Sequence, residues 1–218
     1  QFQEHYKNNS MLQERIELFR AYIKRYEKII NQKYACMDFG CGPGYNSILL
    51  AKKGFSVIAV DYSKKMLSLA KENINNSSCK DLISYDLQDL SKSSDLLDKY
   101  SGSISCIICA SVIEYFEDYE KIINTIYSLL KSNGVILITF PKKKAILRKY
   151  ERIKQFFGLV KNGDYLMHQK SQFNIDATIL MMKKSGFEIL DYQLFNHSHK
   201  TLKSKYNANM FIIAAQKK

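Results

Sequence analysis

The apolar positions of this chain change period along its length. Between Gln3 and Gln32 they recur every three or four residues, at Leu12, Ile16, Phe19, Ile23, Tyr26 and Ile30, which predicts an amphipathic helix. Ser10, followed three residues on by Gln13, has the pattern of its capping box. Tyr34 to Phe39 is instead a short apolar run, uncharged until Asp38, as expected of a strand covered on both faces of a parallel sheet. Helical spacing returns at Tyr45, Ile48 and Leu49 and stops at Gly54.

The same alternation continues. Phe55 to Val60 reads as a strand, Lys64 to Asn75 as a helix capped by Ser63, Leu82 to Tyr85 as a strand, and Ser91 to Tyr100 as a polar helix or loop. Ser103 to Ala110 is a fourth strand, Tyr119 to Lys131 a helix closed by Asn133-Gly134, and Val135 to Phe140 a fifth strand. Lys142 to Gln172 breaks the rhythm as a long insertion, after which Ile175 to Lys184 is helical. Phe187 to Phe195 and Asn209 to Ala215 are strands with no helix between them, so they should pair antiparallel. The whole reads as a single domain, residues 1–218, of α/β class. It is a Rossmann-like, seven-stranded, mostly parallel sheet with a C-terminal antiparallel pair and helices on both faces. The N-terminal arm and helix (1–32) and the insertion (142–172) stand as lid elements.

Composition adds little to that picture. At 218 residues the chain can bury a full core without staples. The five cysteines are odd in number, and three lie in strand-like runs, which favours reduced, buried thiols. Cys106 and Cys109 form a CxxC, but residues three apart on a strand point to opposite faces and do not share a metal. His197 and His199 lack an acidic or thiol companion at metal spacing, so no metal site is expected. The net charge is +12, and 28 of the 33 basic residues are Lys, a pattern that a Lys-coated surface explains as well as a nucleic-acid partner does. No apolar run is long enough to cross a membrane. No basic, then apolar, leader opens the chain at Gln1, so a cytoplasmic location is expected.

The chemistry is concentrated in Asp38-Phe39-Gly40-Cys41-Gly42-Pro43-Gly44 and in Asp61, which closes the second strand. A glycine turn after a strand lets a ligand lie against backbone, and a carboxylate at a strand end can accept hydrogen bonds from a ribose diol. These residues, with YDLQDL at Asp86 and CASVIEYFED at Cys109 to Tyr115, resemble the class I methyltransferases that use S-adenosylmethionine. The likeness runs from Tyr34 to Gln216. It implies cofactor contacts at Asp38, Gly40, Cys41, Gly42, Gly44, Asp61, Tyr62, Met66, Asp86, Leu87, Ala110, Ser111 and Tyr115. Within that set Asp61 falls to the ribose, Asp86 with Leu87 to the adenine, and Asp38 to the ammonium end or to the turn itself.

Dinucleotide-binding oxidoreductases of the NAD type share this topology, but they space their glycines as GxGxxG. Here the third position is Tyr45, and the terminal strand pair also speaks against that reading. For the acceptor, the resemblance implies an oxygen or nitrogen of a small molecule, methylated mainly by positioning. His168 in the insertion, His5 on the arm and Tyr115 are the candidates for a base or an acceptor-pocket wall, each with plain packing as its alternative. Glu114 reads as an exposed acid at a helix start. Lys142 to Lys154 holds seven basic residues against one acid, with Ile146, Tyr150 and Ile153 at helical spacing. A cap over the pocket, a surface for peripheral membrane contact with a lipid-like acceptor, and an RNA track all fit that stretch. Cys109-Ala110-Ser111-Val112 stands where nucleic-acid amino-methylating relatives carry an acid-Pro-Pro-aromatic signature, which argues against RNA. A monomer or homodimer is expected.

Overall fold

The computed structural model describes residues 10–143, 170–195 and 208–218. They form one seven-stranded sheet, in the order β3-β2-β1-β4-β5-β7-β6. The strands are β1 (Cys36–Phe39), β2 (Val57–Asp61), β3 (Ile83–Leu87), β4 (Ile104–Cys109), β5 (Leu130–Pro141), β6 (Phe187–Phe195) and β7 (Met210–Lys217). The first five are parallel to one another, and β7 pairs antiparallel with both β5 and β6.

Alternation along the central strands, broken in β4 by an irregularity between Ile104 and Cys106, divides the core in two. Cys36, Ala59, Cys106, Ile108, Leu137 and Ile212 face one layer of helices, α1 (Ser10–Tyr26), α2 (Tyr45–Ala51) and α3 (Lys64–Asn75). Met37, Val60, Ile107, Cys109, Ile138 and Ile213 face the other, α4 (Ser93–Tyr100), α5 (Tyr119–Leu129) and α6 (Ile175–Lys184). Cys106 and Cys109 therefore lie on opposite faces, and all five thiols are free and buried. No described helix is long and apolar enough to cross a membrane.

Helix starts follow local chemistry. Ser63 accepts the Met66 N–H at 3.3 Å, Asp118 that of Lys121 at 3.0 Å, and Asn174 that of Ala177 at 3.1 Å, each satisfying an N–H that the helix itself leaves over. The side chain of Ser10 lies outside the described ones. Helix α1 buries Phe19, Tyr22 and Ile23 and is tied to the edge strand β6 by an Arg25–Asp191 ion pair.

Several boundaries differ from expectation. Helix α1 stops at Tyr26, and the chain turns with the Ile30 N–H on the Tyr26 carbonyl, so that Ile30 enters the core from a loop. Helix α5 stops at Leu129, because Leu130 is already extended and pairs with Ile104. Asn133, at φ +62°, and Gly134 make an irregularity inside β5 rather than a break before it. Strand β3 runs on to Leu87, carrying Asp86 into the sheet edge. Strand β4 ends at Cys109, one residue before Ala110.

Candidate functional site

The site is built where β1 opens into α2. Asp38 is fully buried, and its Oδ2 accepts both the Ser47 N–H at 2.9 Å and the Ser47 hydroxyl at 2.7 Å. Ser47 is the third residue of α2, so Asp38 caps that helix from a neighbouring strand and sets a negative charge at its positive end. The Asp38 Oδ1 is buried too, and it has no hydrogen-bond partner among the described residues. Burial pushes the Asp38 carboxyl up to about 6, against the pull of the two Ser47 bonds, and the nearby Asp61 adds to the rise.

The glycine turn is held from behind. The Gly40 and Cys41 N–H groups both donate to the Val60 carbonyl, at 2.8 and 2.9 Å. The Gly42 N–H donates to Asp61 Oδ2 and the Ser63 N–H to Asp61 Oδ1, both at 2.9 Å. Asp61 thus fixes the turn, and each of its oxygens keeps a further lone pair for another donor. Gly40, Gly42 and Gly44 all have positive φ, but they do not share one purpose. A Cβ on Gly40 would stand 2.4 Å from Val112, and one on Gly44 would stand 2.9 Å from Ile74. A Cβ on Gly42 would meet nothing within 4 Å among the described residues. Of the three, Gly42 alone is left uncovered by the described residues; the other two are glycine because the loop after a strand and a helix press against them. Cys41 is buried beside the turn, and its burial together with the Asp38 and Asp61 carboxylates pushes its thiol far above the ordinary range. It is therefore an inert wall rather than a nucleophile.

Around the rim, Tyr62 is 73% exposed and Leu87 44%, two large side chains left to solvent beside Asp61. Met66 is half-buried at the start of α3. Ala110 and Ser111 follow β4; Ser111 sits at φ +56° with its N–H on Thr139 Oγ1 at 2.8 Å. Tyr115 is half-buried in the 3-10 turn Ile113–Tyr115. Asp86 is on the rim, but its carboxylate is engaged by Gln88, Lys99 and Tyr100. Glu114 is 1% exposed. This corrects the expectation of a surface acid: the turn after β4 rolls residue 114 inward, and its backbone carbonyl receives the N–H groups of Lys170 and Ser171. His5 and His168 lie outside the described residues, as do Lys144–Lys154 and His197 and His199.

Two partners were not read from the pattern. Ser47 is a polar residue on the inner face of an otherwise apolar helix, Ile48, Leu49 and Leu50, and that mismatch was its available signal. Arg15 donates from Nη1 to Ser111 Oγ at 2.9 Å, across 96 residues of sequence. An arginine on a surface helix carries no local mark of such a contact.

A family model described as a methyltransferase domain matches residues 11–192. The chain belongs to that methyltransferase family. Among its relatives, the ubiquinone biosynthesis O-methyltransferase of Coxiella burnetii is 27% identical over 152 residues, covering 69% of this chain and 61% of that protein. The malonyl-[acyl-carrier protein] O-methyltransferase of Priestia megaterium is 29% identical over 182 residues, 76% of this chain and 62% of that one. This methyltransferase chain thus spans about three-fifths of the length of these two relatives. In fold it is similar to magnesium protoporphyrin IX methyltransferase from Synechocystis PCC 6803 with bound SAH. The TM-score is 0.71 at 20% identity, over 96% of this chain and 84% of that one. A SAM dependent methyltransferase from Archaeoglobus fulgidus gives 0.64 at 17% identity, over 93% and 94%.

Proposed function

We propose that this chain transfers a methyl group from S-adenosylmethionine to an oxygen or nitrogen of a small-molecule acceptor. The observation that carries the reading is the cradle of Asp38, Gly42 and Asp61. Among the described residues, a buried carboxylate oxygen without a partner, a glycine with nothing against its Cβ position and a second carboxylate with spare lone pairs stand together at the end of a parallel sheet. That donor and acceptor set fits the cofactor: an ammonium for Asp38, a ribose diol for Asp61, and close backbone approach at Gly42. Arg15 and Ser111, over the β4 end, are suited to the cofactor's carboxylate, and Tyr62 and Leu87 to the flat faces of its purine.

The cofactor supplies an activated methyl on a sulfonium; the protein's residues supply placement and exclusion of water. Asp38 and Asp61 hold the donor by its two ends, and the rigid turn behind them keeps those ends at fixed separation. Of the three side chains proposed for the acceptor side, Tyr115 is the described one, standing in the turn after β4. The O-methyltransferase activities named for the Coxiella and Priestia relatives favour an oxygen as the acceptor atom. A small-molecule partner fits better than nucleic acid, given the sequence Cys109 to Val112 after β4.

Titration calorimetry with S-adenosylhomocysteine tests the reading. Micromolar binding that is lost in Gly42→Val and Asp61→Ala is the expected result. Absence of heat with a folded wild-type protein would refute it.

A further inference from the structure

Asp86 occupies the position that the resemblance assigns to the adenine amino group, yet its carboxylate has no capacity left for it. Oδ1 accepts from Gln88 Nε2 at 3.0 Å and from Lys99 Nζ at 3.4 Å. Oδ2 accepts from the Tyr100 hydroxyl at 2.9 Å and from Lys99 Nζ at 3.2 Å. A carboxylate offers about four lone-pair sites, and all are taken by these contacts. The side chain is 13% exposed, which leaves little room for a ligand to insert.

We propose that Gln88 reads the adenine 6-amino group through its Oε1, and that Asp86 is a positioning residue that fixes the Gln88 amide in the orientation needed. The inference rests on the cofactor reading above. Three observations support it. First, a carboxylate only accepts, so the amide must turn its NH2 toward Asp86 and its oxygen away. That settles an orientation which an isolated glutamine leaves open. Second, Gln88 Oε1 accepts no hydrogen bond among the described residues, and Gln88 itself is half-exposed at the rim. Third, the Gln88 N–H donates to the Asp61 carbonyl at 3.1 Å, which pins residue 88 beside the carboxylate that would hold the ribose. A purine attached to that ribose, and lying away from the glycine turn on β1, reaches next the end of β3, one strand spacing of about 4.8 Å further along the sheet.

The supports behind Asp86 keep it charged. Burial raises its carboxyl, and the bonds from Gln88, Tyr100 and Lys99 outweigh that and hold it below the ordinary value. The device is a relay in which α4 fixes Asp86, Asp86 fixes the Gln88 amide, and an amide oxygen faces the ligand. Such a group accepts from a 6-amino purine and opposes a 6-oxo one.

The test is calorimetry with S-adenosylhomocysteine and with its deaminated counterpart S-inosylhomocysteine, for the wild type, Gln88→Met and Asp86→Asn. The wild type should prefer the adenine form by about tenfold or more, the worth of a made against an opposed hydrogen bond. Gln88→Met keeps the length and loses the acceptor, so its preference should fall to within about threefold while S-adenosylhomocysteine still binds. Asp86→Asn frees the amide to flip and should show the same loss of preference, a readout that a purely structural residue would not move. If Gln88→Met discriminates as well as the wild type, the proposal is overturned, whatever becomes of Asp86→Asn. If the wild type binds neither ligand, the cofactor reading itself falls and takes this inference with it. Binding without discrimination in the wild type overturns the inference alone.

Discussion

Replacing Asp38 by asparagine should move stability and cofactor affinity in opposite directions. In the folded protein the Asp38 carboxyl is pushed up to about 6 from an ordinary 3.8. Keeping it ionised at neutral pH therefore costs the fold about 3 kcal/mol, to order of magnitude. The folded state holds this proton more tightly than the unfolded chain does. Its stability contribution is thus full at low pH and declines as pH rises through the window between those two values. Asparagine retains one oxygen for the two Ser47 bonds and removes the buried charge. Since each kcal/mol is worth about 2–4 °C in a domain of this size, Asp38→Asn should melt several degrees higher near neutral pH.

Binding should go the other way in the same variant. The buried Oδ1 becomes an NH2 facing a cationic ligand, and a hydrogen bond to a charged group, worth about 1.5–3 kcal/mol, is lost. S-Adenosylhomocysteine should bind roughly tenfold to a hundredfold more weakly. Because an ammonium selects the ionised carboxylate, wild-type affinity should also weaken below about pH 6, by up to about tenfold per pH unit, whereas the variant stays flat. Scanning and titration calorimetry across that range measure both quantities. A variant that binds as tightly as the wild type, or a wild-type affinity indifferent to pH across the window, would refute the assignment of Asp38 to the cofactor's cation.

Gly40→Ala should destabilise by about 1–3 kcal/mol, because its Cβ collides with Val112 at a positive φ. Gly42→Ala, with none of the described residues near its Cβ, should cost about 1 kcal/mol of backbone strain and act mainly on cofactor affinity. Denaturant titration beside calorimetry separates the two, and equal stability losses would contradict the different roles given to these glycines. Ser47→Ala removes the hydroxyl bond to Asp38 Oδ2, keeps the backbone N–H bond, and leaves a buried carboxylate with one donor fewer. A loss of about 1–3 kcal/mol, shrinking as pH falls and the acid is protonated, is expected in melts between neutral and acid pH. Arg15→Met should leave stability within about 1 kcal/mol and weaken cofactor binding by about tenfold; unchanged affinity would remove Arg15 from the site.

The architecture was legible because its signals are local. Short continuous apolar runs, apolar positions spaced three or four apart, Gly54 after a helix, Ser63 before one, and the lack of any helix before the last strand each act over a few residues. The parallel sheet and its antiparallel end follow from them with few alternatives; the strand order came from the structure. Boundaries slipped where a tertiary partner outweighed the local pattern. Leu130 left its helix to pair with Ile104, and Asp86 was drawn into β3 against Val60.

The sequence by itself determined the class of site: an acid ending β1, glycines spaced GxGxG and an acid ending β2 belong to one short stretch. It could not determine which group faces which, because that depends on residues brought together across long separations. Gly40 faces Val112 and Gly44 faces Ile74, so that Gly42 alone is left to the cleft. Arg15 reaches Ser111 from another layer, and Lys99 and Tyr100 occupy the carboxylate of Asp86. A carboxylate's role is set by how many of its lone pairs the fold has already used, and that number is fixed only when the chain is packed.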